Sequence, residues 1–142
     1  MLLAALVLIP LAAAALAFLL RANGPRRGLL LAASLAHAAL TASAWAVAPA
    51  PTFQGNLALD PLGRLFLSLI SLVFLAASLY GVSYLGGEES GPRQDFQGQG
   101  LFLNAPEARF TACLLLFLSS MTLTVLAQNL ALLLAVGLGA WR

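Results

Sequence analysis

Leu59-Asp60-Pro61-Leu62-Gly63-Arg64 leads into an apolar run from Leu65 to Leu85 that marks a membrane-spanning helix. Asp60 can cap a helix that Pro61 opens at its first position, where a missing N–H costs nothing. At 1.5 Å per residue, Leu62 to Leu85 extends roughly 36 Å, more than the roughly 30 Å of bilayer hydrocarbon. The segment can therefore cross a membrane with modest tilt.

Composition places the whole chain in the same class. Hydrophobic residues make up 61% and charged residues 8%, against roughly a quarter charged in an ordinary soluble domain. The net charge of +2 arises from arginines alone, since lysine is absent. These arginines sit in connections rather than in a basic tract, which argues against nucleic-acid binding.

The predicted fold is an all-α polytopic membrane bundle, a single domain over 1–142, with four transmembrane helices at about 2–20, 28–48, 61–85 and 109–127. Arg21-Ala22-Asn23-Gly24-Pro25-Arg26-Arg27 separates the first two spans, and Pro49-Ala50-Pro51 stops the second. A polar connection, Gly86 to Ala108, leads to the fourth. The run Leu130 to Trp141 covers only about 18 Å, so it reads as an incomplete fifth span with an interfacial or poorly ordered end at Arg142. No positive residue precedes the first span, so it reads as a retained helix rather than a secretory signal.

Arg21, Arg26 and Arg27 lie in the first connection and none lies in Pro49 to Leu59, which places Met1 outside. Arg64 is the exception. Asp60, four residues before it, is expected to form an ion pair with it on the same helical face.

Polar residues inside the spans carry the functional question. His37 is the one ionisable residue within a span and away from its ends, and such a residue is a functional candidate because an unpaired polar group there is costly. Ser34, His37 and Thr41 share a face, with Ala33, Ala36 and Ala44 allowing close helix approach. His37 thus has two readings: a proton relay, or a neutral histidine bonded to Ser or Thr across a helix contact. Arg64, Ser68, Ser71 and Ser78 form a near-heptad stripe on the third helix. Ser119, Ser120, Thr122 and Thr124 on the fourth do not share one face, and bonding back to helix carbonyls accounts for them.

Cofactor chemistry finds little purchase. The single cysteine, Cys113, permits neither an intrachain disulfide nor a thiolate cluster and reads as a small buried hydrophobe. Gly98-Gln99-Gly100 lacks the further glycine and the strand–helix setting of a dinucleotide loop. No metal or cofactor site is expected, and no catalytic residue is assigned.

The residues also carry a resemblance. Leu57-Ala58-Leu59-Asp60-Pro61-Leu62-Gly63-Arg64-Leu65-Phe66, then Phe74 to Leu85, then Arg109-Phe110-Thr111 with Leu116-Phe117-Leu118-Ser119-Ser120-Met121-Thr122, resemble the amino-terminal part of the antiporter-like membrane subunits. These proton-conducting subunits are shared by respiratory complex I, membrane-bound hydrogenases and multi-subunit cation/proton antiporters, and the likeness is strongest to the hydrogenase-4 type branch. Such subunits have a dozen or more transmembrane helices and a row of buried charged residues that begins with a glutamate in the fifth helix. Gln128-Asn129-Leu130-Ala131-Leu132-Leu133 is similar to the start of that helix, and Gly139 stands where the glutamate is expected. The resemblance implies a truncated or split amino-terminal portion of a proton-translocating subunit of an NADH-quinone oxidoreductase or hydrogenase complex, in a bacterial or archaeal plasma membrane, with other membrane subunits and the lipid bilayer as partners. The alternative is a small structural or assembly membrane protein; a stand-alone transporter is disfavoured because no acidic residue lies in a full span.

Overall fold

The structure, a computed structural model, describes residues 1–20, 23–47, 49–52, 55–88 and 106–128. Four helices follow in order: α1 (Leu2–Leu19), α2 (Asn23–Ala46), α3 (Pro61–Glu88) and α4 (Pro106–Leu126). Each is long and apolar enough to cross a membrane. The incomplete fifth span, with Gly139, lies outside the described residues, as does most of the connection from Gly86 to Ala108.

The boundaries follow from capping. Asp60 accepts the N–H of Gly63 through Oδ1 at 2.7 Å, which satisfies one of the orphan donors of the first turn of α3. A Cβ at position 63 would lie 2.5 Å from that oxygen, so a side chain there would force the Asp60 carboxylate to shift. α2 begins at Asn23 rather than near Gly28, because Pro25 falls in its first turn, where a proline is tolerated, and Arg26 bonds back to Asn23. α4 begins at Pro106 rather than Arg109 for the same reason, with Glu107 in its first turn, where an acid complements the helix dipole.

The helices run alternately up and down. α1 packs mainly on α4 and α2 mainly on α3, and α2 also touches α4. Small residues permit the first contact: Ala13, Ala14 and Ala17 of α1 are buried, as are Ala108 and Ala112 of α4. Pro10 lies within α1. One carbonyl beside it, that of Val7, accepts the hydroxyl of Ser119 from α4 at 3.1 Å. Ser120, Thr122 and Thr124 bond back to carbonyls of their own helix, as expected, and Ser119 is the exception.

At the end that holds Met1, residues of the α2–α3 connection tie down α4. Thr52 and Leu57 form an antiparallel bridge around Gly55, whose φ of +88° suits glycine. Leu57 also bridges to Ala127, and Ala58 N–H donates to the carbonyl of Leu126 at 3.1 Å. Leu57 and Leu59 then close an apolar layer with Leu3, Leu6, Ala44, Leu67 and Leu126. A second layer, further along the bundle, comprises Ala13, Ala14, Leu30, Ala33, Phe74, Leu115 and Leu118. Large apolar side chains such as Leu65, Phe66, Leu69, Leu72 and Val73 of α3 point outward, the arrangement a lipid solvent favours. Cys113 is exposed as well, which corrects the expectation of burial. The inward arc of α4 runs through Thr111, Ala112, Leu115, Leu118, Ser119 and Thr122, and Cys113 falls outside it with Phe110 and Phe117.

Candidate functional site

Between the two apolar layers lies a polar one. His37 of α2 is buried, and its face with Ser34 and Thr41 turns inward as the spacing predicts. Nδ1 lies 2.9 Å from Ser71 Oγ of α3, and Nε2 lies 2.9 Å from Thr122 Oγ1 of α4. Thr41 Oγ1 lies 2.8 Å from Ser71 Oγ. Three helices therefore meet at one imidazole.

Proton counting sets the direction of these bonds. Thr122 gives its only hydroxyl proton to the carbonyl of Leu118 at 2.8 Å, so toward His37 it can only accept. Nε2 therefore carries a hydrogen. In the neutral ring Nδ1 is then an acceptor: Ser71 donates to it, and Thr41 donates to Ser71. In the imidazolium Nδ1 donates to Ser71, and Ser71 turns its proton toward Thr41. Protonation thus reverses two hydroxyl bonds and needs no heavy atom to move.

Asp60 and Arg64, the other two sequence candidates, stand apart from this layer. Asp60 caps α3 as described, but the expected ion pair with Arg64 is not formed. The Asp60 carboxylate is turned to the Gly63 N–H, and Arg64 Nε is buried without a hydrogen-bond partner. Ser68 of the same stripe donates to the Arg64 carbonyl and accepts Trp45 Nε1–H at 2.9 Å.

A charged layer at the opposite end of the bundle was not visible from sequence. Arg27 donates from Nε to Glu107 Oε1 at 2.7 Å and from its terminal nitrogen to Oε2 at 3.1 Å and to the carbonyl of Leu85 at 2.9 Å. One guanidinium thereby joins the start of α2, the last turn of α3 and the first turn of α4. Its neighbour Arg26, which is buried, donates to the carbonyls of Ala17 and Leu20 and to Asn23 Oδ1, and so caps the C-terminus of α1. From sequence alone both arginines fall in a connection and the fourth span begins after Glu107. The cue was Pro106-Glu107, an acid directly after a helix-opening proline.

Among the described residues no group of three His, Cys, Asp or Glu side chains could hold a metal ion. Comparison of the chain with protein families, curated proteins and solved structures finds no match.

Proposed function

We propose that this chain is the amino-terminal membrane portion of an antiporter-like proton-translocating subunit of an NADH-quinone oxidoreductase or hydrogenase-type assembly, with His37 as a proton station. The resemblance from Leu57 to Thr122 supplies the class. The observation that carries the role of His37 is its hydroxyl chain: Ser71 and Thr41 can follow a proton onto or off Nδ1 by rotation alone. Partners on this reading are further membrane helices.

Two measurements test the assignment. An affinity-tagged chain purified from its native membranes in mild detergent should comigrate with a complex that oxidises NADH or hydrogen; migration of all the chain as an isolated species, with no such activity, would contradict it. The arginine distribution orients Met1 outward. With Cys113 replaced by alanine, a cysteine at Gln97 should then react with an impermeant maleimide only from the cytoplasmic side, and labelling from outside would overturn the orientation.

A second reading, a structural or assembly protein, draws on the two apolar layers that enclose His37. In that case the imidazole only joins α2, α3 and α4.

A further inference from the structure

Ser78 of α3 and Thr111 of α4 are fully buried, at 0% and 1% exposure, and neither hydroxyl has a hydrogen-bond partner. Their neighbours behave otherwise. Ser34, Ser43, Ser68, Ser120, Thr122 and Thr124 each give a proton to a carbonyl of their own helix, the usual resolution for a hydroxyl in an apolar setting. Thr111 does not use the carbonyl one turn back, nor does Ser78, so both keep their full hydrogen-bonding capacity inside the bundle.

The two residues lie within about one helical turn of each other along the bundle. A Cβ at Gly81 would sit 3.7 Å from the Phe110 ring, which sets position 81 of α3 beside position 110 of α4. Ser78 is three residues before the first and Thr111 one after the second. Thr111 is about 6 Å along α4 from Glu107, and Ser78 is about 10 Å along α3 from Leu85, whose carbonyl receives Arg27. In the other direction Phe74 and Leu115 follow, and beyond them Ser71 and Thr122 with His37.

We infer that Ser78 and Thr111 form a binding site for internal water between the Arg27–Glu107 pair and the Phe74–Leu115 layer. Buried polar groups with no protein partner are the places where proteins hold ordered water, and here two such hydroxyls lie within about a turn of each other. The charged end of the bundle is then wet as far as Phe74 and Leu115. That apolar layer becomes the barrier between water and His37. The inference deepens the proton-station reading, on which its use depends, but the water can be detected whether or not His37 moves protons.

Water-edited solid-state NMR on the full chain in liposomes tests it. Magnetisation from water should reach the Thr111 methyl and the Ser78 β-protons at least threefold faster than the Thr122 methyl or Leu115. Build-up at Thr111 and Ser78 as slow as at Thr122 would overturn the proposal, and this arm needs no variant. In the double variant Ser78→Ala with Thr111→Val, transfer to the new valine methyls should fall to the rate of Leu115. Transfer that persists at the wild-type rate would show that these hydroxyls do not hold the water. Loss of proton translocation in a His37 variant, or its absence, bears on the other reading and leaves this result unchanged.

Discussion

Replacing Glu107 by alanine is expected to destabilise the folded bundle by about 3 kcal/mol, because it takes the counter-charge from a largely buried Arg27 guanidinium. The two side chains are 14% and 9% exposed, so a few nearby waters replace only part of what the lost partner supplied. Arg27→Ala should cost a similar amount, since it also releases the Leu85 carbonyl and with it the tie to α3. The double variant should lose much less than the sum of the two, the mark of a coupled pair. Arg27→Lys should restore only part of the loss, because an ammonium cannot form the paired contacts to both carboxylate oxygens. Unfolding titrations in mixed detergent micelles provide the comparison. Additive losses, or a Glu107→Ala variant within about 0.5 kcal/mol of wild type, would show that the pair behaves as an exposed one.

The second large effect separates the two partners of His37 by an asymmetry in the hydrogen bonding. Thr122→Val keeps the shape of the side chain and removes the acceptor of the Nε2 hydrogen. A buried donor is then orphaned, and stability should fall by about 1–2 kcal/mol. His37→Leu removes the ring itself, yet Thr122 keeps the Leu118 carbonyl and Ser71 keeps Thr41. Only one hydroxyl hydrogen, that of Ser71, loses its acceptor, and it can rotate to a carbonyl of its own helix as other hydroxyls of the bundle do, so the change should stay within about 1 kcal/mol. The smaller substitution is thus expected to do more damage than the larger one. The reverse order would mean that the ring packs the core and that its hydrogen bonds are incidental.

What could be read from the chain alone divides along physical lines. Features set by residues a turn apart were legible: the Asp60–Gly63 cap with Pro61 between them, the four apolar runs, and the inward face of Ser34, His37 and Thr41. Composition starts the second and fourth helices at about Gly28 and Arg109, later than the structure does, because Pro25 and Pro106 with their polar neighbours resemble connection although each sits in a first helical turn. The Asp60–Arg64 pair was drawn from spacing, but the carboxylate is turned toward the backbone, which offers a fixed donor nearby. Long-range pairing was out of reach. Nothing local connects Arg27 to Glu107, eighty residues apart in sequence, or selects Ser71 and Thr122 from the many hydroxyls as the ones that meet His37. Cys113 went astray because a helix apolar on every side does not disclose which arc faces inward.

Layering also explains why the chemistry of His37 depends on its surroundings. Leu3, Leu6, Ala44, Leu57, Leu59, Leu67 and Leu126 close it off at one end, and Leu30, Phe74, Leu115 and Leu118 at the other. Among the described residues, a route for a proton to the ring requires an opening in one of these layers.

His37→Leu is the variant that bears most directly on the central claim, since it removes the titratable ring and is expected to spare the fold. The measurement is proton uptake by inverted membrane vesicles that carry the assembled complex, followed with a pH-sensitive dye while electron transfer is recorded in parallel. A drop of tenfold or more in protons moved per electron, with electron transfer retained, is the result expected for a proton station. An unchanged ratio in a complex that assembles normally would make His37 a packing residue and leave the bundle as scaffold.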